Sequence, residues 1–92
     1  MYLISYDIED NKIRNKIAKQ LENYGCRVQY SVFECRITQK RFCELYEKLA
    51  ILMEEENGGN NRFYYICENC TKKITTMGIA TRHEEDSDVI II

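Results

Sequence analysis

No apolar run in these 92 residues approaches the roughly 20 needed to cross a bilayer, which excludes a helical membrane protein. Met1 leads directly into Tyr-Leu-Ile-Ser-Tyr-Asp without a charged n-region or cleavage site, and the expectation is a cytoplasmic protein. No repeat and no low-complexity segment is present. The five cysteines, Cys26, Cys35, Cys43, Cys67 and Cys70, are odd in number and come without a secretion signal, which argues against a disulfide framework. Cys67-Glu-Asn-Cys70 has CxxC spacing, but no second CxxC follows, and the lone His83 lies thirteen residues beyond Cys70. A structural zinc site wants four ligands, so these thiols read as structural or incidental rather than as a metal or redox centre. His83 reads as an exposed residue of a polar linker.

What is present is an ordinary globular composition, 45% hydrophobic and 30% charged, on a chain long enough for one domain with a thin core. A second subunit would help to cover it. The formal net charge of -2 hides a segregation: residues 11–43 hold eight Lys or Arg against two Glu, while residues 1–10 and 44–92 are acidic. Such a basic stretch binds phosphate backbone locally, because screening makes the nearby surface count more than the total charge.

Tyr2, Ile4, Tyr6 and Ile8 alternate with Leu3, Ser5, Asp7 and Glu9, the period-2 pattern of a strand. Asp10 or Asn11 then caps a helix with Ile13, Ile17, Leu21 and Tyr24 on one face, and Gly25 stands where a left-handed C-cap is wanted. Cys26 to Ile37 is extended again, and Thr38 caps a second helix carrying Phe42, Leu45, Tyr46, Leu49, Leu52 and Met53. The run Glu54 to Asn61 ends that helix. Arg62 to Cys67 reads as a strand, Cys67 to Lys73 as a turn or short helix, and Ile74 to Ile79 as a strand paired back on the preceding one. The polar stretch 81–88 leads to Val89-Ile90-Ile91-Ile92, apolar residues that make sense at a terminus only against a sheet edge or a partner.

This order predicts an α+β two-layer sandwich, both helices on one face of a mainly antiparallel sheet and the other face uncovered. If Cys26 to Ile37 is two strands, the order is βαββαβ, ferredoxin-like, with an extra C-terminal strand; no turn residue decides between one strand and two. Residues 1–80 form the domain, and 81–92 a linker and docking strand. Leu3 and Phe33 are expected to share the uncovered face with Ser5, Asp7, Gln29 and Ser31, a mixture that suggests an interface, with Val28 and Val32 toward the helices.

Asp7 lies at the carboxyl end of the first strand, and a two-fold axis on the uncovered face would bring two copies of it together. Paired carboxylates suit a hard divalent cation. Strand end and helix cap are the plainer roles for Asp7 and Asp10, and spacing alone favours them. Lys12, Arg14, Lys16 and Lys19 on the first helix, followed by Arg27, Arg36, Lys40 and Arg41, supply sequence-independent phosphate contacts or else a solvated face. Of the aromatic residues, Tyr6 and Phe33 stand out as candidates for work outside the core.

Tyr6-Asp7-Ile8, the basic helix from Lys12 to Lys19, and Arg27-Val28-Gln29-Tyr30-Ser31-Val32-Phe33-Glu34 together resemble the CRISPR-associated protein two family, over nearly the whole chain. The resemblance implies a ferredoxin-like homodimer that partners a CRISPR integrase in acquiring spacers for antiviral defence. It also implies a metal-dependent endonuclease acting on RNA or DNA, with Mg²⁺ or Mn²⁺ held by Asp7 at the dimer interface. Tyr6, Arg14, Arg27, Ser31 and Phe33 match positions implicated around it. Lys16 stands where some members carry Arg, keeping the charge but losing the bidentate fork. With no histidine to act as base, the expected chemistry is phosphodiester hydrolysis by a metal-activated water, Arg14 and Arg27 steadying the phosphate. A non-catalytic DNA-binding adaptor and a ribonuclease toxin on the same fold are the alternatives.

Overall fold

The alternation of the first residues becomes strand β1 (Tyr2–Asp7), with Tyr2, Ile4 and Tyr6 buried and Asp7 exposed. Helix α1 (Asn11–Glu22) follows, its N-terminus closed by the Asp10 carboxylate, which accepts from the backbone N–H of Ile13 at 3.0 Å. Strands β2 (Cys26–Gln29) and β3 (Val32–Cys35) come next, then α2 (Gln39–Met53), capped by Thr38 through the N–H of Arg41. Strand β4 (Asn60–Tyr65), the single turn α3 (Glu68–Thr71) and strands β5 (Thr75–Thr76) and β6 (Ile90–Ile91) complete the order. This computed structural model describes residues 1–55, 58–78 and 90–91. His83, the linker at 81–88, Ile79, Val89, Ile92 and part of the acidic stretch after α2 lie outside the described residues. Among those described, no helix is long and apolar enough to cross a membrane.

The main sheet has the order β2-β3-β1-β4, with every neighbouring pair antiparallel. That order and the two helices make the ferredoxin-like sandwich expected of two strands between residues 26 and 37. The break falls at Tyr30 and Ser31. Neither has a positive φ, and the ladder instead shifts register between Arg27 and Gln29, a bulge at Val28 that lets an ordinary backbone make the turn.

The core fills one face of the sheet. Ile4 pairs with Phe33 on one side and Phe63 on the other, and Ile13, Ile17, Leu21, Leu45 and Leu49 of the helices close over them. Fully burying such a side chain contributes roughly 1.5–3 kcal/mol. Tyr2 stacks on Phe42 with centroids 4.0 Å apart, and Arg41 lies over the Tyr24 ring while pairing with Glu44, so that cation belongs to the seam between α1 and α2.

Three expectations need correction. Phe33 is completely buried with the helices rather than on the uncovered face, because the turn and bulge shift the alternation by one; Val32, opposite Ser5, shares the outer face instead. Gly25 has no positive φ; it is glycine because a Cβ there would stand 2.3 Å from the Glu34 carbonyl oxygen. Strand β5 pairs in parallel with β6 rather than back on β4.

Candidate functional site

Period-2 alternation with Tyr6 buried turns the Asp7 side chain to the face away from α1 and α2, where Leu3, Ser5 and Asp7 line up and pair with Tyr64, Arg62 and Asn60 of β4. Asp7 is exposed at the strand's last position. The chain then turns into α1, and this turn is held from above. The half-buried Arg14 donates through Nη1 to the carbonyls of Ile8 at 3.0 Å and Glu9 at 3.2 Å, and through Nη2 to the side-chain oxygen of Asn11. A guanidinium presents its donors as a fixed fork, so one side chain fixes the two residues that follow Asp7 and the start of the helix.

The hairpin between β2 and β3 is tied to the same strand end. The Tyr6 backbone N–H donates to the Ser31 carbonyl at 3.0 Å, and the Tyr6 hydroxyl donates to the Tyr30 carbonyl at 3.3 Å. Arg27 approaches that hydroxyl at 3.5 Å and lies over the Phe33 ring, 5.2 Å from its centroid. Tyr6 and Phe33 are themselves tilted neighbours at 6.3 Å. Tyr6, Arg27, Ser31 and Phe33 thus form one cluster on the helix side of the sheet. Asp7 points the other way.

The exposed Lys16 and Lys19 line a shallow groove between α1 and β2 together with Asn15, Glu22 and Arg27. Lys12 is exposed on the first turn of α1, just beyond Asp7. Arg36 is not at this end. It follows Cys35, which pairs with Tyr2, so the length of β1, about 17 Å at roughly 3.3 Å per residue, separates it from Asp7. Among the described residues no group of three or more His, Cys, Asp or Glu could hold a metal ion within one chain.

The family model described as CRISPR associated protein Cas2 matches residues 1–74. The chain belongs to this family. CRISPR-associated endoribonuclease Cas2 1 of Chloroflexus aurantiacus is 43% identical over 91 residues, covering 99% of this chain and 98% of that protein. CRISPR-associated endoribonuclease Cas2 2 of Methanospirillum hungatei is 45% identical over 76 residues, 83% of each. The solved structure of Streptococcus pyogenes Cas2 at pH 6.5 superposes with a TM-score of 0.71 at 31% identity, covering 84% of this chain and 98% of that one. A chain in a partial Cas6-RT-Cas1–Cas2 complex gives 0.67 at 37% identity, covering 77% and 82%.

The Cas2 match takes in every predicted site residue from Tyr6 to Arg36 and the CxxC pair as well. Cys67 stands at the N-cap of α3 and Cys70 within it, with both residues exposed. A backbone hydrogen bond from Cys70, reinforced by its side chain, draws the Cys67 thiol below its ordinary value, and Cys70 is pushed up by its side-chain hydrogen bond with Cys67. The feature that sequence pattern missed is Tyr30, whose carbonyl receives Tyr6 while its ring is almost fully exposed. A tyrosine flanked by Gln29 and Ser31, inside an otherwise apolar run, was the available sign of it.

Proposed function

We propose that this Cas2-family chain is a nucleic-acid-binding subunit of CRISPR spacer acquisition and a divalent-metal-dependent endonuclease, working as a homodimer joined through the uncovered sheet face. The observation that carries the proposal is the exposed Asp7 on that face, at a strand end whose exit loop Arg14 holds in place. The relatives from Chloroflexus aurantiacus and Methanospirillum hungatei are named endoribonucleases, which supports nuclease chemistry on RNA; DNA is the other substrate the fold allows.

On the uncovered face one chain offers the exposed carboxylate of Asp7, and a two-fold axis through that face would add its symmetry mate. Mg²⁺ or Mn²⁺ fits such a donor set, since the hard cation takes one or two carboxylates and completes its shell with water. Asp7 would hold the ion, which when bound would polarise a phosphodiester and supply an activated water. The chain's own residues do the rest. Arg14 keeps the Asp7 carboxylate at a fixed height by locking the loop. Lys12, Lys16, Lys19 and the outer edge of Arg27 meet the phosphates of the bound strand, Lys16 as a point charge rather than a fork. Arg36, at the far end of the sheet, contacts backbone remote from the cut. Tyr6, Ser31 and Phe33 hold the hairpin against the strand end.

The test is cleavage of single- and double-stranded RNA and DNA by wild type and Asp7→Ala, with Mg²⁺, Mn²⁺ or EDTA. Cleavage is expected to vanish in EDTA and in Asp7→Ala. Activity that survives either treatment refutes metal-dependent catalysis at Asp7.

The likeness to a chain in a complex containing Cas1 favours a second role for the same protein, a rigid adaptor for the integrase. The Asp7→Ala variant would keep that role, and removal of residues 89–92, which include β6, would abolish complex formation while sparing cleavage.

A further inference from the structure

Tyr30 is the most exposed large hydrophobic side chain among the described residues, at 95% of its full accessibility. It stands at the tip of the β2–β3 turn, a position that ordinarily favours small or polar residues. Its backbone is nonetheless fixed. The carbonyl of Tyr30 accepts from the Tyr6 hydroxyl, the carbonyl of its neighbour Ser31 accepts from the Tyr6 N–H, and Arg27 braces the same hydroxyl from beside Phe33. An aromatic ring is therefore presented to solvent on a base that does not need ordering before it can bind.

The surface around it has a definite chemistry. The groove lined by Arg27, Gln29, Tyr30 and Ser31 shares Arg27 with the groove lined by Lys16 and Lys19, so cations and ring form one continuous track at the β2 edge. Cations spaced along a groove match phosphates, and a ring at the end of such a track matches the face of an unpaired base. Inside a duplex, away from its two ends, the bases are stacked on one another and present no free face.

We propose that Tyr30 is a base-stacking residue, taking one unpaired nucleobase of a strand whose phosphates lie along Lys16, Lys19 and Arg27. The proposal rests on the nucleic-acid-binding reading above and adds to it the residue that tells unpaired from paired substrate. Loss of one base–aromatic stack weakens binding by about 5- to 150-fold.

The experiment measures binding of fluorescein-labelled 12-nucleotide single strands, RNA and DNA, and of the corresponding duplexes, in EDTA so that cleavage does not intervene. Proteins are wild type, Tyr30→Ala, Tyr30→Phe and Tyr30→Trp, with sedimentation recording the oligomeric state. Tyr30→Ala is expected to lose single-strand affinity by the factor given while binding duplex as wild type does; Phe and Trp restore it. Single strands carrying abasic sites should weaken binding to wild type and not to Tyr30→Ala. If wild type binds but Tyr30→Ala binds single strands equally well, the stacking role falls while the wider reading stands. If wild type binds no oligonucleotide, the wider reading falls and stacking with it. A variant that sediments differently from wild type assigns the ring to a subunit contact and overturns the proposal.

Discussion

Gly25 joins α1 to β2, and replacing it by alanine sets two effects of opposite sign against each other. Its φ is not positive, so an alanine backbone fits without strain, and the loss of freedom in the unfolded chain favours the variant by roughly 0.4–1 kcal/mol. Against that, the new Cβ would lie 2.3 Å from the Glu34 carbonyl oxygen, 2.5 Å from the Cys35 sulfur and 2.8 Å from the Cys35 Cα. Ordinary contacts begin near 3.4 Å, and two of the three atoms are backbone of β3, which is paired on both sides. Overpacking typically costs about 1–3 kcal/mol, and a clash against paired backbone belongs at the upper end, leaving a net destabilisation of about 2 kcal/mol or more. For a domain of this size each kcal/mol lowers Tm by about 4–8 °C, so Gly25→Ala should melt about 8–16 °C below wild type by circular dichroism. The double variant Gly25→Ala/Cys35→Ala should recover little of this, because removing the sulfur leaves the Glu34 oxygen in the way. A Tm equal to or above that of wild type would mean that α1 does not end against β3, and the placement of Arg27, two residues later on β2, would lose its basis.

Arg14 and Cys35 supply two further tests. If Arg14 works by clamping the loop after Asp7, Arg14→Lys, which keeps the charge but cannot span the carbonyls of Ile8 and Glu9, should lose cleavage nearly as completely as Arg14→Ala and about 1.5–3 kcal/mol of stability in urea unfolding; full rescue by lysine would return Arg14 to a purely phosphate-binding role. Burial pushes the Cys35 thiol up from its ordinary 9.0 to about 12, so between these values the unfolded chain releases a proton that the folded chain keeps. The stability this gives is fully present below pH 9 and declines with a slope of up to about 1.4 kcal/mol per pH unit as pH climbs toward 12. Urea unfolding from pH 8 to 11 should show that excess slope in wild type relative to Cys35→Ala, and equal slopes would place the thiol in contact with solvent.

Both helices and β1 were legible because each repeats its pattern long enough to declare a period: Ile13, Ile17 and Leu21 on α1, Leu45 and Leu49 on α2, Tyr2, Ile4 and Tyr6 on β1, all buried as the spacing requires. The Thr38 cap was legible for the same reason, and so was a cap at Asp10 or Asn11, of which Asp10 is the one that serves, since a short polar acceptor just before such a run has a local job. The hairpin was not. Its turn uses Tyr30 and Ser31 rather than Gly or Asn, and the residue that makes this possible is the bulged Val28, which no composition marks. One uncounted residue reverses the facing of everything after it, which is why Phe33 was expected outside and lies at zero exposure inside. The pairing of β5 with β6 escaped for another reason: two-residue strands carry too few side chains to show alternation, and the paired residues are fifteen positions apart.

At the site itself, the position of Asp7 was legible and the division of labour among the cations was not. As charges along the chain, the basic residues of 11–43 are equivalent, and a count of them predicts a uniform phosphate-binding face. Folding separates them by what lies within reach of each head group. Arg14 meets backbone carbonyls, Arg41 meets Glu44 and the Tyr24 ring, and Arg27 meets the Tyr6 hydroxyl and the face of Phe33. Lys12, Lys16 and Lys19 remain exposed on one side of α1. Among these residues the split follows side-chain chemistry: a planar fork with low hydration binds carbonyls and aromatic faces at partly buried seams more readily than a strongly hydrated ammonium does, although Lys48 of α2 also reaches the Tyr24 hydroxyl, at 2.9 Å. Exchanging the two types therefore changes function in opposite places, Arg→Lys damaging the frame that holds Asp7 and Tyr30, and Lys→Ala weakening the grip on phosphate while leaving that frame intact.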